Sequence, residues 1–111
     1  MAVKLHQHAV EYAKKMIRDG KIDYNTPWHT AEPTPESEDA YLNSHSFDQY
    51  GNWFLGIDGN TNPQTKEHYS FPIGNFNKIY RSALIAAEQR AAQYHHEDIK
   101  TAAKELLDMV D

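Results

Sequence analysis

The residues of this chain best suited to chemistry are its seven histidines. Neutral imidazole is a common metal ligand and a proton carrier near neutral pH. Spacing decides whether these side chains can act together. His6 and His8 fall in a segment of helical periodicity, where residues two apart point about 200° away from one another, so they do not share an ion. His95 and His96 are adjacent in a turn and lack a spaced third ligand. His68 lies on the strand face opposite Tyr69 and Phe71. The expectation is surface and loop histidines, no metal site and no cofactor.

Other catalytic patterns fail for similar reasons. Asp58-Gly59-Asn60-Thr61-Asn62 begins like a calcium loop, but Pro63 stands where glycine makes the turn and Tyr69 where the bidentate glutamate belongs. No Gly-x-Ser-x-Gly elbow exists, and Ser82 lies inside a helical pattern. The five glycines are scattered, so no loop cradles phosphate. Glu32, Glu36, Glu38 and Asp39 read as a solvated face. There is no cysteine, which excludes thiol catalysis, disulfides and thiolate metal sites. No catalytic residue is assigned.

Three residues are expected to mark a partner surface: Ile17, Arg81 and Ile85. Arg81 falls on the polar face of a helix, where it suits an anion or an acidic partner. Ile85 sits among Lys78, Arg81 and Glu88, away from the Leu84 face. Ile17, like Val10, lies well off the centre of the first helix face. A second apolar stripe on two helices points to a second surface, and a homodimer is the commonest use of one. The acidic segment 24–48 folded over these stripes is the competing expectation. Arg90, on the flank of the core face, reads as structural: a packed stem whose head pairs with a carboxylate.

The elements that would position these groups follow from periodicity and punctuation. Leu5, Ala9, Tyr12, Ala13 and Met16 predict a helix over 3–19, with Gly20 as its stop. Three prolines predict an extended, acidic loop at about 24–36, and Thr34-Pro35-Glu36 predicts a helix over about 35–44. Trp53, Leu55 and Ile57 alternate, as do Tyr69, Phe71 and Ile73, around a turn-rich loop; they predict a two-stranded antiparallel hairpin. Asn75 is read as the N-cap of a helix through Tyr80, Leu84, Ala87, Ala91 and Tyr94. After His95-His96 a last helix buries Ile99, Ala102, Ala103, Leu106, Leu107 and Val110, and pairs antiparallel with its predecessor. The class is α+β, mainly helical, in a single domain over residues 1–111.

Tyr50-Gly51-Asn52-Trp53-Phe54-Leu55-Gly56-Ile57-Asp58, Phe71-Pro72-Ile73-Gly74 and Arg81-Ser82-Ala83-Leu84-Ile85-Ala86-Ala87 with Arg90-Ala91-Ala92-Gln93 resemble a family of short bacterial proteins of about 110 residues. That family has no assigned activity, so the resemblance implies no catalytic residues. Phe71 to Val110 is also similar to small helical modules attached to some phage head-maturation proteins.

The formal charge is −5, and its distribution restricts partners. Residues 24–75 carry only Lys66 against seven acids, so no basic stripe exists to release counterions from nucleic acid. No run approaches a membrane span, and the N-terminus lacks the apolar core of a secretory signal, so the expected compartment is the cytoplasm. These features predict a non-catalytic binding or assembly protein that acts through a protein partner or self-association. The alternative is a small metal-dependent hydrolase using His68, Asp58 and a distant histidine.

Overall fold

A strand, not a helix, begins the described chain. The structure, a computed structural model, describes residues 3–111, so Met1 and Ala2, the start of the segment read for a signal, lie outside it. Strand β1 (Val3–Leu5) pairs antiparallel with β3 (Phe54–Asp58), Val3 opposite Asp58 and Leu5 opposite Gly56. Helix α1 (Gln7–Arg18) therefore starts later than the periodicity predicts, because the sheet claims Leu5. Its end is as expected. Gly20, at φ 78°, directs its N–H to the Ile17 carbonyl, and the Lys21 N–H reaches that of Met16. That pair of bonds is the Schellman stop, and the positive φ is what glycine supplies there.

Strand β2 (Ile22–Asp23) pairs parallel with β5 (Ile79–Tyr80), joining segments far apart in sequence. The proline-rich segment is not wholly extended: it holds the short helix α2 (Trp28–Ala31). Helix α3 (Pro35–Leu42) begins as the sequence predicts, the Thr34 hydroxyl accepting from the Ser37 N–H at 3.1 Å. Helix α4 (Phe47–Gly51) has a reciprocal capping box between Ser46 and Gln49. The expected hairpin forms from β3 and β4 (Tyr69–Pro72), with Phe54 opposite Pro72 and Gly56 opposite Ser70. With β1 it makes a three-stranded sheet, order β1-β3-β4, not the two strands expected. A 3-10 turn, Lys66–His68, leads into β4.

Asn75 does not cap a helix. Its side-chain oxygen accepts from the N–H groups of Asn77 and Lys78, a local turn that competes with helix initiation. Gly74 then bridges Ile79, and α5 (Arg81–Gln93) starts six residues beyond Asn75. Helix α6 (Glu97–Val110) packs against α5 as the C-terminal pair. Tyr94-His95-His96 reverses the chain between them by a second Schellman pattern, with His95 at φ 62°. Glu97 and Asp98 supply acids to the first turn of α6, and Asp98 also accepts from the Leu5 N–H at 2.9 Å, tying β1 to that helix.

One cluster unites these elements. Trp53, Tyr50, Leu55, Ile73, Ile79, Leu84, Ile99 and Leu106 are its largest fully buried side chains. Each large apolar group there contributes roughly 1.5–3 kcal/mol relative to exposure. Of the residues expected inside, Met16, Phe71, Tyr80 and Leu107 are also buried, while Leu5 and Tyr12 are half-buried. Val10, read as off the core face, is buried, because α1 packs against both β3 and α6. Among the described residues no helix is long and apolar enough to cross a membrane.

Candidate functional site

The polar face of α5 forms one wall of an open groove. Ala86, Gln89, Arg90 and Gln93 share one side of the helix, on which Arg90 flanks buried Ala83 and Ala87. The floor comes from Ser70, Phe71 and Pro72 of β4, an edge strand with β3 as its one neighbour. Pro72 suits that edge, since it has no N–H to donate. Trp28 and Glu32, from α2 and its C-terminal end, complete the lining. The space between is about 510 Å³. The Trp28 ring packs 5.8 Å from that of Tyr80, and the Ser82 hydroxyl donates to the Thr26 carbonyl at 2.8 Å. These contacts fix α2 beside the start of α5.

The floor is held in a costly conformation. Phe71 has φ 61°, a left-handed backbone that disfavours side chains with a Cβ by about 1–2 kcal/mol. It turns the ring over Gly56, where an added Cβ would stand 2.8 Å from Phe71 Cδ2 and 2.7 Å from Ser70 Oγ. The ring also meets His96 edge-on at 5.7 Å. The Ser70 hydroxyl is turned inward and finds no protein partner; Trp53 Nε1 in the core shares that condition.

The walls carry opposite charges that stay unpaired. Arg90, expected to meet a carboxylate, forms no ion pair among the described residues, and neither does Glu32. The Arg90 guanidinium instead lies 5.5 Å from the centre of the Tyr94 ring. Arg81 is placed differently. Its Nε and Nη2 donate to the Asp111 carboxylate at 2.8 and 3.3 Å, which holds the Asp111 carboxyl below its usual range. Ile17 and Ile85 are half-buried and packed on the core cluster. Among the described residues the exposed large apolar side chains are Tyr24, Tyr94 and Met109.

A second groove, about 380 Å³, is lined by His6, His8, Asp48, Gln49, Asn52 and Tyr69. His6 precedes α1 with extended backbone, so the helical separation expected of His6 and His8 does not apply; their rings lie 6.1 Å apart. The His6 Nδ1 faces the carbonyls of Gly51 and Phe54 at 3.0 and 3.2 Å. Carbonyls only accept, so Nδ1 carries the proton and the lone pair sits on Nε2. Burial lowers the His6 pKa, the two carbonyls oppose that, and the neighbouring His8 and His68 add to it. The Tyr69 hydroxyl donates to the Pro63 carbonyl at 2.9 Å, and burial raises its pKa.

His68 is buried beneath this loop, its Nδ1 3.1 Å from the Thr61 hydroxyl, which donates to the Asp58 main-chain carbonyl. The Asp58 carboxylate accepts from the Asn60 N–H. His95 and His96 stand at the α5–α6 link. Among the described residues no three histidine or carboxylate side chains converge on one point in a geometry that holds an ion. Lys66, the only base of the middle third, pairs with Asp39 at 2.7 Å and Glu38 at 3.5 Å, which raises its own pKa. Arg90 and Glu32 offered no sequence signal as a pair, because 58 positions separate them and only the seating of α2 brings them to one groove. No family model matches the sequence, and neither a curated protein nor a solved structure is detectably similar to it.

Proposed function

We propose that this is a non-catalytic binding or assembly protein that acts through protein contacts, with the groove between β4, α2 and α5 as its contact surface. The observation that supports this most is an open groove lined by Trp28, Phe71, Glu32 and Arg90, in which neither Glu32 nor Arg90 forms an ion pair among the described residues. Arginine and aromatic side chains are the groups enriched at protein interfaces, and Trp28 lines the groove while Tyr94 lies beside the Arg90 guanidinium. The acidic middle third opposes nucleic acid as the partner. Absence of cysteine suits a reducing compartment such as the cytoplasm.

A photo-crosslinking residue in place of Gln89, at the groove, is expected to give a discrete covalent product in cells of the source organism, with the crosslinked protein identified by mass spectrometry. The same residue in place of Lys104, exposed on α6, is the control. No product at Gln89, or equal products at both positions, would overturn the reading.

A small metal-dependent hydrolase is the second reading. It would use the His6 imidazole, oriented by the Gly51 and Phe54 carbonyls and lowered in pKa by burial, although His6, His8 and Asp48 do not converge in a geometry that holds an ion. Ester or phosphoester hydrolysis dependent on added zinc or manganese, and abolished by His6→Gln, would favour it.

A further inference from the structure

We propose that Asp58 is a site of spontaneous isoaspartate formation, and that the fold promotes the reaction there while suppressing it at the other Asp-Gly pair of the chain, Asp19-Gly20. The product re-routes the β3–β4 loop where it meets buried His68.

An aspartate followed by glycine is able to close on its own backbone, because glycine has no Cβ to obstruct the approach of its nitrogen. At Asp58 the Gly59 nitrogen attacks Cγ and a bond forms between them. The carboxyl hydroxyl, Oδ2, leaves as water with the Gly59 N–H proton, and a cyclic imide results. Water then opens the ring at either carbonyl. Opening at the main-chain carbonyl leaves the chain running through Cβ and Cγ, with the former main-chain carbonyl as a free carboxylate. The sum is an isomerisation, in which the water lost on closure is regained on opening and no oxidant or reductant takes part.

The two pairs are held differently. The Asp58 Oδ1 accepts from the Asn60 N–H at 2.9 Å, an Asx turn whose ring contains both the attacking nitrogen and the attacked carbon. That N–H points at the oxygen that takes up negative charge as Cγ becomes tetrahedral, so it stabilises ring closure as an oxyanion donor does. Gly59 and Asn60 are exposed, beyond the end of β3. At Asp19 the attacking nitrogen is already engaged. The Gly20 N–H donates to the Ile17 carbonyl at 3.0 Å, the Lys21 N–H to that of Met16 at 2.9 Å, and Gly20 stands at φ 78°. Ring closure there has to break the stop of α1. Isomerisation at Asp58 also has a defined consequence. Its main-chain carbonyl accepts from the Thr61 N–H at 3.2 Å and hydroxyl at 3.0 Å, and that hydroxyl lies 3.1 Å from His68 Nδ1. Moving this carbonyl out of the main chain releases Thr61 and removes the anchored neighbour of His68.

The full chain, aged at neutral pH both folded and in guanidinium chloride, tests this. Isoaspartate is read position by position, by labelling with a purified isoaspartyl carboxyl methyltransferase followed by peptide mapping. Position 58 is expected to gain isoaspartate at least as fast folded as unfolded. Position 19 is expected to gain it at least about tenfold more slowly folded than unfolded, the scale of the hydrogen bonds that must open. Gly59→Ala, shown folded by circular dichroism, should slow position 58 at least about fivefold, because its Cβ obstructs the approach. The His68 ring resonances of the isolated isoaspartyl form are expected to shift. A folded chain in which position 58 is slower than in denaturant, or no faster than position 19, overturns the proposal. Unshifted His68 resonances overturn the link from the modification to the buried histidine.

Discussion

The two grooves beside β4 differ in how their polar groups are used. Around His6, ring and hydroxyl are tied to main chain: Nδ1 to the Gly51 and Phe54 carbonyls, the Tyr69 hydroxyl to that of Pro63. Along α5, the charged heads of Arg90 and Glu32 have no ion-pair partner among the described residues. The first is a seam of the fold, where polar groups join β1, α1, α4 and β3. The second is a surface whose charges the fold leaves over. Polar character alone does not distinguish them; what each polar atom already touches does.

The largest effect is expected beneath the α5 groove. Gly56→Ala places a Cβ against Ser70 Oγ and the Phe71 ring, with Ile99 Cδ1 at 3.3 Å behind them, and should cost about 2–3 kcal/mol of stability by overpacking. Urea unfolding measures it. A loss below about 0.5 kcal/mol would mean the groove floor yields, and that the left-handed Phe71 is not held by close packing.

His6→Ala comes next. It strips a donor from two carbonyls at a part-buried site and should cost about 1–3 kcal/mol. A loss as small as that of an ordinary surface substitution would break the contrast between the grooves.

The pH profile sharpens the same point. The folded-state pKa of His6 lies below its ordinary value of 6.5, so the unfolded chain binds a proton there first. The His6 contribution to stability is full above pH 6.5 and is lost as pH falls through the lowered folded value. Unfolding free energies from about pH 7 to about pH 5 should fall in the wild type and fall less steeply in His6→Ala. Equal slopes would show that His6 is as solvated as a free imidazole.

The smallest effect is expected at Arg90. Arg90→Ala should change stability by no more than about 0.5 kcal/mol, since its exposed head joins no ion pair among the described residues. Arg81→Ala should lower the melting temperature slightly at low salt and not at high salt, because its pair with Asp111 is exposed and screened. A larger loss at Arg90 than at His6 would reverse the assignment of the two grooves.

Much of the fold is legible in local chemistry. Thr34-Pro35, Gly20, the alternation around Asp58–Pro63 and the apolar stripe of α6 each describe their own neighbourhood, and each appears where the sequence places it. Misreadings fall where a distant segment wins. Leu5 fits the α1 stripe but pairs with Gly56 in the sheet. Asn75 is a good helix cap by type, yet the parallel pairing of Ile22 with Ile79 extends residues 79–80 and delays α5. Arg81 and Arg90 sit on one helix, and nothing local says which head meets a carboxylate. That depends on Asp111 reaching Arg81 while Glu32 stops beyond ion-pair distance of Arg90.

The sequence by itself determined composition, charge and the short-range elements, because caps, turn residues and apolar periodicity act over a few positions. Three decisions belong to tertiary structure alone: the third strand, the β2–β5 pairing and the groove that joins Trp28 and Glu32 to Arg90. Each depends on loop closure across tens of residues, and that cost is repaid only once the shared core of Trp53, Leu55, Ile79, Leu84 and Leu106 has formed around it.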